Sequence, residues 1–428
     1  MALRILLLGS GGREHAMAWK ITQSPLCAKL FIAPGNAGTS QCGENLSFNA
    51  TDFNSIKTFC ISEKIDMVVV GPEEPLVKGI YDFFKADPEL THISVIGPSA
   101  KAALLEGSKS FAKSFMIKHG IPTAGYKEFN EESFQEGIDY LKAHPLPIVI
   151  KADGLAAGKG VIICQSHLEA ISEFELMIQK SKFGEAGKKV VVEEFLTGIE
   201  LSVFVLTDGK SYVLLPEAKD YKRVGEGDKG LNTGGMGAVS PVPFADAHFM
   251  EKVRTRIIEP TINGIAADGL EYKGFVFIGL ISVLGEPYVI EYNCRMGDPE
   301  TEVVMPRLST DLVELLQAVA ENRVGEKQVI FDSRAAATVM AVSGGYPGHY
   351  EKGFEISGLD ILHEESSFVF HAGTKEQDGK IVTDGGRVFA VTSYGKNINE
   401  ASNKSIVCMD LLHFEDIYFR RDIGFEFK

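Results

Sequence analysis

The sequence contains no C-x-x-C pair: its six cysteines stand apart at Cys27, Cys42, Cys60, Cys164, Cys294 and Cys408. That spacing excludes zinc-ribbon and dithiol redox sites, and free thiols in a reducing, cytoplasmic setting are expected. Positive charge is also short. Lysine and arginine total 43 against 58 aspartates and glutamates, a formal net charge of -15. This argues against nucleic acid or an anionic membrane as partner, but not against small anions held by backbone amides and a few cations. No apolar run is long enough to span a bilayer. The run Ile5 to Leu8 stops at a glycine, as a first strand would and a signal peptide would not. Internal repeats and low-complexity segments are absent. The histidines form no Ser-His-Asp or metal-spaced set; His15, beside the first glycine loop, reads as a capping or packing residue.

What is present is an enzyme-like distribution of glycine. The 44 glycines of the 428 residues cluster in short loops rather than in a linker, which suits several tight, backbone-lined sites. The length predicts roughly two to four structural units. Strands are expected at Arg4 to Leu8, Leu30 to Ala33, Met67 to Val70 and Ile93 to Ile96, with helices at His15 to Ile21 and Asn54 to Glu63. Each strand exits into a glycine- or proline-bearing turn, GSGGRE, PGNAG, GPEEPL or GPSA. The pattern predicts a parallel sheet with ligand-facing loops at its carboxyl edge. A helix follows from Ser108 to His119, then two β-rich segments around LPIVIKADGLAAGKGVII and KKVVVEEFLTGIELSVFVL. Residues 219 to 241 read as a long irregular stretch, usually functional or disordered. Gly274 to Leu284 and Pro287 to Asn293 read as a hairpin turning at Gly285 and Glu286. Helices are expected at Asp311 to Glu321 and Ile398 to Met409, the second within a strand-rich final region.

Four motifs carry chemistry. In LLGSGGREH the position of a third fingerprint glycine is taken by Glu14, and the second strand ends without a ribose-binding acid. A tight packing turn, a dinucleotide site and a phosphate site at the helix start, with Arg13 as cation, all remain open. KADGLAAGKGV is not a P-loop, since Gly160 follows Lys159. It is either a plain hairpin loop or a flexible glycine flap over phosphates, and Lys151, emerging from an apolar strand, calls for an anionic partner. VVVEEFLTGIE reads as a solvated strand end or as an adenosine pocket, with backbone groups near Glu194 and Leu196 on the base and Glu200 on the ribose. VIEYNCRMGDPETE is the strongest. Strand alternation puts Val289, Glu291, Asn293 and Arg295 on one face and Ile290, Tyr292 and Cys294 on the other. An acid and an amide two residues apart suit magnesium bridging nucleotide phosphates, and the arginine suits a carboxylate or a transferring phosphoryl group. Asp298 and Glu300 follow at once, which weighs against a merely solvent-facing strand.

In this order, GSGGREHAMAWK, APGNAG, VVVGPEEPLVKG, LEGSKSFAK, VIKADGLAAGKGV, DYKRVGEGDKGLNTGGMGA, IEYNCRMGDPETE, GGYPG, FHAGT and RRDIG resemble the phosphoribosylamine–glycine ligase family of the ATP-grasp superfamily, essentially end to end. The resemblance implies an α/β and α+β multidomain fold. It comprises an open parallel α/β domain at 1-106, an ATP-grasp core at 107-333 with a mobile lid at about 124-196, and a β-rich domain at 334-428. It implies ATP-dependent ligation of glycine to 5-phosphoribosylamine through a glycyl phosphate, an early step of purine biosynthesis, with Mg2+ or Mn2+. By that resemblance, nucleotide contacts fall to Lys109, Lys151, Ala156, Ala157, Gly158, Lys159, Gly160, Glu193, Glu194, Phe195, Leu196 and Glu200. The metal falls to Glu291 and Asn293. Substrate contacts fall to Gly11, Gly12, Arg13, Glu14, Asp220, Lys222, Arg223, Asn232, Thr233, Gly234, Gly235, Met236, Gly237, Arg295, Asp298 and Glu300. Arg295, Lys151 and Asp298 are the catalytic candidates. Many relatives in the superfamily carry a further acid on the strand before Glu-x-Asn, whereas this sequence reads GFVFIGLISV there. A monomer is expected, with a dimer as the alternative. The rival readings are another carboxylate-activating ligase, such as a carboxylase-type subunit, and a non-catalytic nucleotide-binding module.

Overall fold

The computed structural model describes residues 2–155, 160–180, 182, 184–360 and 366–427. The first region is an open parallel sheet. Its strands are β1 (Leu3–Gly9), β2 (Cys27–Pro34), β3 (Glu44–Asn45), β4 (Met67–Val70) and β5 (Ser94–Ile96), in the order β3-β2-β1-β4-β5. The helices α1 (Gly12–Ile21), α2 (Phe53–Ser62), α3 (Glu73–Val77) and α4 (Ile80–Ala86) join them. Fully buried Ile5 to Leu8 and Val68 and Val69 explain the unbroken apolar runs of the central strands, which are covered on both faces. The order reverses at β1 and β4, so the turns after these two strands flank a crevice at the carboxyl edge.

Two helices, α5 (Ala100–Gly107) and α6 (Lys109–Lys118), lead out of this region, and Ser108 caps the second by accepting from the Phe111 amide. Next comes a separate layer. Strands β6 (Tyr126–Asn130), β7 (Ile148–Ala152), β8 (Val161–Cys164) and β9 (Lys189–Glu194) form the sheet β6-β9-β7-β8, covered by α7 (Phe134–Ala143) and α8 (His167–Ile178). Its core, including Phe129, Leu141, Ile150, Phe174 and Val192, is a distinct hydrophobic cluster.

The chain continues into β10 (Ile199–Thr207) and β11 (Tyr212–Leu214). Residues 219 to 241, expected to be irregular, instead contain β12 (Lys219–Asp220), β13 (Arg223–Gly225), β14 (Lys229–Asn232) and β15 (Gly237–Ser240). The strands are short and glycine-rich, so their order comes from distant partners: β15 pairs with β18 (Ala335–Val342), Gly237 opposite Val339. Helix α9 (Ala247–Val253) runs through a π-turn at Arg254–Ile258 into α10 (Glu259–Ala267).

Strands β16 (Gly274–Val283) and β17 (Glu286–Asn293) form the expected hairpin, with the turn one residue earlier than read from sequence. Val283 pairs with Glu286, leaving Leu284 (φ 52°) and Gly285 (φ 81°) as the two turn residues. Two left-handed residues match the strand twist, which is why the turn settles there. Helices α11 (Thr301–Arg307) and α12 (Leu312–Ala320) follow; Asp311 caps α12 on the amides of Val313 and Glu314.

The last region adds β19 (Ser367–His371), β20 (Thr374–Gln377), β21 (Lys380–Thr383), β22 (Arg387–Gly395) and α13 (Ile398–Met409). Its main sheet runs β12-β15-β18-β22-β19, so the 219–240 segment is built into it. All six cysteines are free, with Cys27 and Cys42 partly exposed and the other four buried. Among the described residues no helix is long and apolar enough to cross a membrane.

Candidate active site

The cleft takes its shape from a β-bulge. Gly279 pairs with Glu291 but the next residue, Leu280, pairs with Val289, so Ile290 is the extra residue on β17. The bulge flips the alternation upstream of it. Val289, expected beside Glu291 and Asn293, is instead fully buried in the core with Tyr292 and Cys294. Ile290, expected with Tyr292, lines the cavity with Glu291. A side chain at Gly279 would bring a Cβ to 3.0 Å from Glu291 Cγ. The position where an additional acid would face Glu291 is therefore occupied by a glycine that gives Glu291 its room.

Across this cavity lie Glu200, Ser202, Asp220 and Lys222. Lys222 Nζ is 2.7 Å from Glu200 Oε2 and 3.9 Å from Asp220 Oδ1. Burial works against its charge, but Asp220, Glu200 and Glu291 outweigh it and hold the ammonium well above its usual range. Burial raises Asp220. It also pushes Glu300 up to about 7, with Asp220 adding to the effect, while Ser202 Oγ donates to Glu300 Oε1 at 3.0 Å. A carboxyl whose folded pKa lies above its unfolded value favours the folded state when protonated, and that contribution fades as pH rises from about 4.5 through 7. Glu300→Gln is therefore expected to melt like the parent at pH 5 and to be more stable at pH 8, by up to about 3 kcal/mol; thermal unfolding at the two pH values checks this.

Lys151 leaves β7 almost wholly buried. Its Nζ donates to Ile290 O at 3.2 Å and lies 3.0 Å from Glu193 Oε1, as an ion pair without hydrogen-bond alignment. Lys109 sits half-buried at the start of α6; burial lowers its pKa, and Glu291 is the strongest opposing charge. Gly160 O accepts from the Ala152 amide at 2.8 Å, closing the base of the glycine flap. Ala156, Ala157, Gly158 and Lys159, read from sequence as its tip, lie outside the described residues. Glu194 Oε1 accepts from the Gly125 amide at 2.7 Å, while Phe195 is exposed and Leu196 half-buried beside it. These residues form the connection from β9 back to β10 and Glu200.

The other end of the cleft meets the crevice of the first sheet. Gly11 N–H donates to Glu14 Oε2 at 2.6 Å at the start of α1. Arg13, read as a phosphate cation, is buried: its Nε donates to Glu14 Oε1 at 2.6 Å and its Nη1 to Met296 O at 3.3 Å. Asp298 Oδ2 accepts from the Arg13 amide at 3.4 Å, and Oδ1 lies 2.9 Å from Arg387 Nη2. Burial alone would raise Asp298, but Arg387 and Arg13 hold it below its ordinary value. Arg387 also donates to Gly234 O and to Asp298 O, and Gly234 N–H donates to Tyr346 Oη. Arg295 Nη2 donates to Asn293 Oδ1 at 3.2 Å and lies 2.7 Å from Glu106; its Nε is 3.4 Å from Glu73 Oε2.

The structure thus brings together Glu291, Asn293, Arg295, Lys109, Lys151, Glu200, Asp220, Lys222 and Glu300, and joins Gly11 to Glu14 with Asp298 and Gly234. Others are placed elsewhere. Arg223 and Asn232 pair on the β13–β14 hairpin, with Arg223 Nη1 turned to Gly230 O. The Met236 side chain is in the core, and Thr233 Oγ1 donates to Lys222 O. His15 is a packing residue as expected, its Nδ1 accepting from the His371 amide at 2.8 Å. Sequence reasoning passed over Glu73, Glu106, Lys113 and Arg387. Two had a signal: Glu73 lies in a strand-exit turn, and Lys113 follows Lys109 by one helical turn.

Three consecutive segments match the phosphoribosylglycinamide synthetase models: residues 3–106 the N domain, 107–301 the ATP-grasp (A) domain and 336–426 the C domain. The phosphoribosylamine–glycine ligase of Escherichia coli K12 is 46% identical over 426 residues, 99% of this chain and 98% of the relative. This chain belongs to the phosphoribosylamine–glycine ligase family. The crystal structure of the Thermotoga maritima phosphoribosylamine–glycine ligase superposes with a TM-score of 0.85 at 35% identity, covering 98% of this chain and all of that one. The biotin carboxylase of Campylobacter jejuni, solved with β,γ-ATP, has a TM-score of 0.73 at 16% identity, covering 100% of this chain and 95% of that one, and shares the fold alone. As a phosphoribosylamine–glycine ligase family member, the chain is a ligase on a multidomain α/β fold with an ATP-grasp core.

Proposed function

We infer that this enzyme uses ATP to join the carboxylate of free glycine to the amine of 5-phosphoribosylamine, giving glycinamide ribonucleotide, ADP and phosphate in purine biosynthesis. The observation that carries the reading is the β17 edge. There Glu291 lines the cavity, and Arg295 grips Asn293, two residues on along the strand, while reaching Glu73 at the first domain's crevice. Nucleotide chemistry and substrate turn thus meet at one strand end.

Glu291 and Asn293 offer a carboxylate and an amide oxygen, and among the described residues no three His, Cys, Asp or Glu side chains form a metal cage. Two hard oxygens suit Mg2+ or Mn2+, which would complete its shell with water and nucleotide phosphates and neutralise their charge. Lys109, Lys151 and Gly160 hold the phosphates, with Ala156 to Lys159 as the covering flap; Glu193 to Leu196 and Glu200 hold the nucleoside. Gly11 to Glu14 and the turn at Gly234 and Gly235 border the phosphoribosyl site. Asp220, Lys222 and Glu300 complete the substrate side. We divide the chain at 106/107 and 333/334, with 124-196 as the closing lid, in keeping with the lid's own core.

In the first step a glycine carboxylate oxygen attacks the γ-phosphorus and ADP leaves, giving glycyl phosphate. The amine nitrogen then attacks the acyl carbon, the C–O bond to phosphate breaks, and the amine loses a proton. No enzyme nucleophile is needed; Arg295 and Lys151 neutralise developing charge, Asp298 orients the amine, and the lid excludes water. A carboxylase-type activity is the competing chemistry on this fold. ADP formation is expected only with glycine and 5-phosphoribosylamine both present; equal ADP with bicarbonate in place of glycine would overturn the reading.

A further inference from the structure

Lys113 lies on the core helix α6, yet its ammonium touches both connections of the lid. It is 2% exposed. Its Nζ donates to Thr123 Oγ1 at 2.8 Å and to Ala124 O at 3.1 Å, on the segment that enters β6. It also lies 3.1 Å from Glu193 Oε2, on the strand that leaves the lid. Two of its protons go to protein oxygens and the ion pair takes up its remaining side, so the ammonium is held by the protein. The entry segment is in turn fastened to β17 just before the bulge: Thr123 Oγ1 donates to Val289 O, and Val289 N–H donates to Pro122 O, each at 2.8 Å.

Glu193 is the shared element. One oxygen faces Lys113 and the other Lys151, so a single negative charge is divided between two buried ammoniums. The pair with Lys151 is not aligned as a hydrogen bond, and the one aligned proton of Lys151 goes to Ile290 O. Lys151 therefore keeps protons and net positive charge for an anion in the cleft. Without Lys113, Glu193 would turn to Lys151 alone and neutralise it. Burial lowers Lys113 to about 8, with Glu193 opposing, which is consistent with a charge held by its partners.

We propose that Lys113 is a positioning residue for the ligase reaction: it pins both lid connections to the core and, by holding half of Glu193, leaves the Lys151 ammonium only partly paired and so available to the nucleotide phosphates. The proposal rests on the phosphate role of Lys151 given above. In Lys113→Met the KM for ATP is expected to rise about tenfold while the KM for glycine stays within about twofold. Adding Glu193→Gln, which removes the competing carboxylate, is expected to bring the ATP KM back toward the parent value. A role confined to packing would give no such recovery. Should Lys113→Met not fold, Lys113→Gln, which can still donate to Ala124 O, is expected to show the same rise and the same recovery. An unchanged ATP KM in the Lys113 variants, or no recovery in the double variant, overturns the proposal, provided Lys151→Ala does raise it. An unchanged ATP KM in Lys151→Ala overturns the phosphate role on which it stands.

Discussion

Glu291→Ala is expected to lower turnover by roughly a thousandfold or more while the protein melts within a few degrees of the parent. The asymmetry follows from where the side chain lies. Glu291 is half-buried on the cavity face of β17. Its neighbours Val289 and Tyr292, not Glu291, fill the core. Removing it also takes a favourable charge from two cations of the cleft, half-buried Lys109 and exposed Lys222. Stability should therefore shift modestly, whereas the cavity loses its one carboxylate paired with an amide on the same strand face. Steady-state rates with circular dichroism melts check both halves. A variant retaining metal-dependent turnover removes Glu291 from the site.

Lys151→Ala is expected to weaken ATP binding about 10- to 100-fold, the range for a lost charge-assisted hydrogen bond to a phosphate. Lys151 is 4% exposed, and its ammonium is held at the bulge by Ile290 O. It is thus fixed beside Glu291 before a nucleotide arrives. Fluorescent-nucleotide titration measures the effect directly. Affinity equal to the parent's would show that the ammonium serves only the Glu193 pair.

Much of this architecture is legible in the residues, and the exceptions share a cause. Strands β1, β2 and β4 announce themselves as apolar runs ending in glycine turns, because both sheet faces are covered. Helix starts are written in Ser108 and Asp311, whose side chains act on amides within the same turn. The bulge at Ile290 has no such local mark: it exists only in the register with β16, so Val289 and Ile290 were read onto the wrong faces. Strand β15 is ordered by pairing with the distant β18, and β12 by pairing in turn with β15. Arg387 reaches Asp298 and Gly234 across the fold, and Glu106 meets Arg295 in the same way. A close approach is equally silent: a Cβ at Gly12 would collide with Glu302 Oε1, a carboxyl that burial keeps well above its usual range. The Glu291, Asn293 and Arg295 set, by contrast, lies downstream of the bulge, where simple alternation holds.

The central claim is that the carboxylate of free glycine is phosphorylated in this cleft before the amine nitrogen of the second substrate attacks it. Turnover with glycine labelled in its carboxylate oxygens by oxygen-18 tests it, with the released phosphate analysed by mass spectrometry. The account predicts one labelled oxygen in each phosphate; phosphate free of label would contradict it.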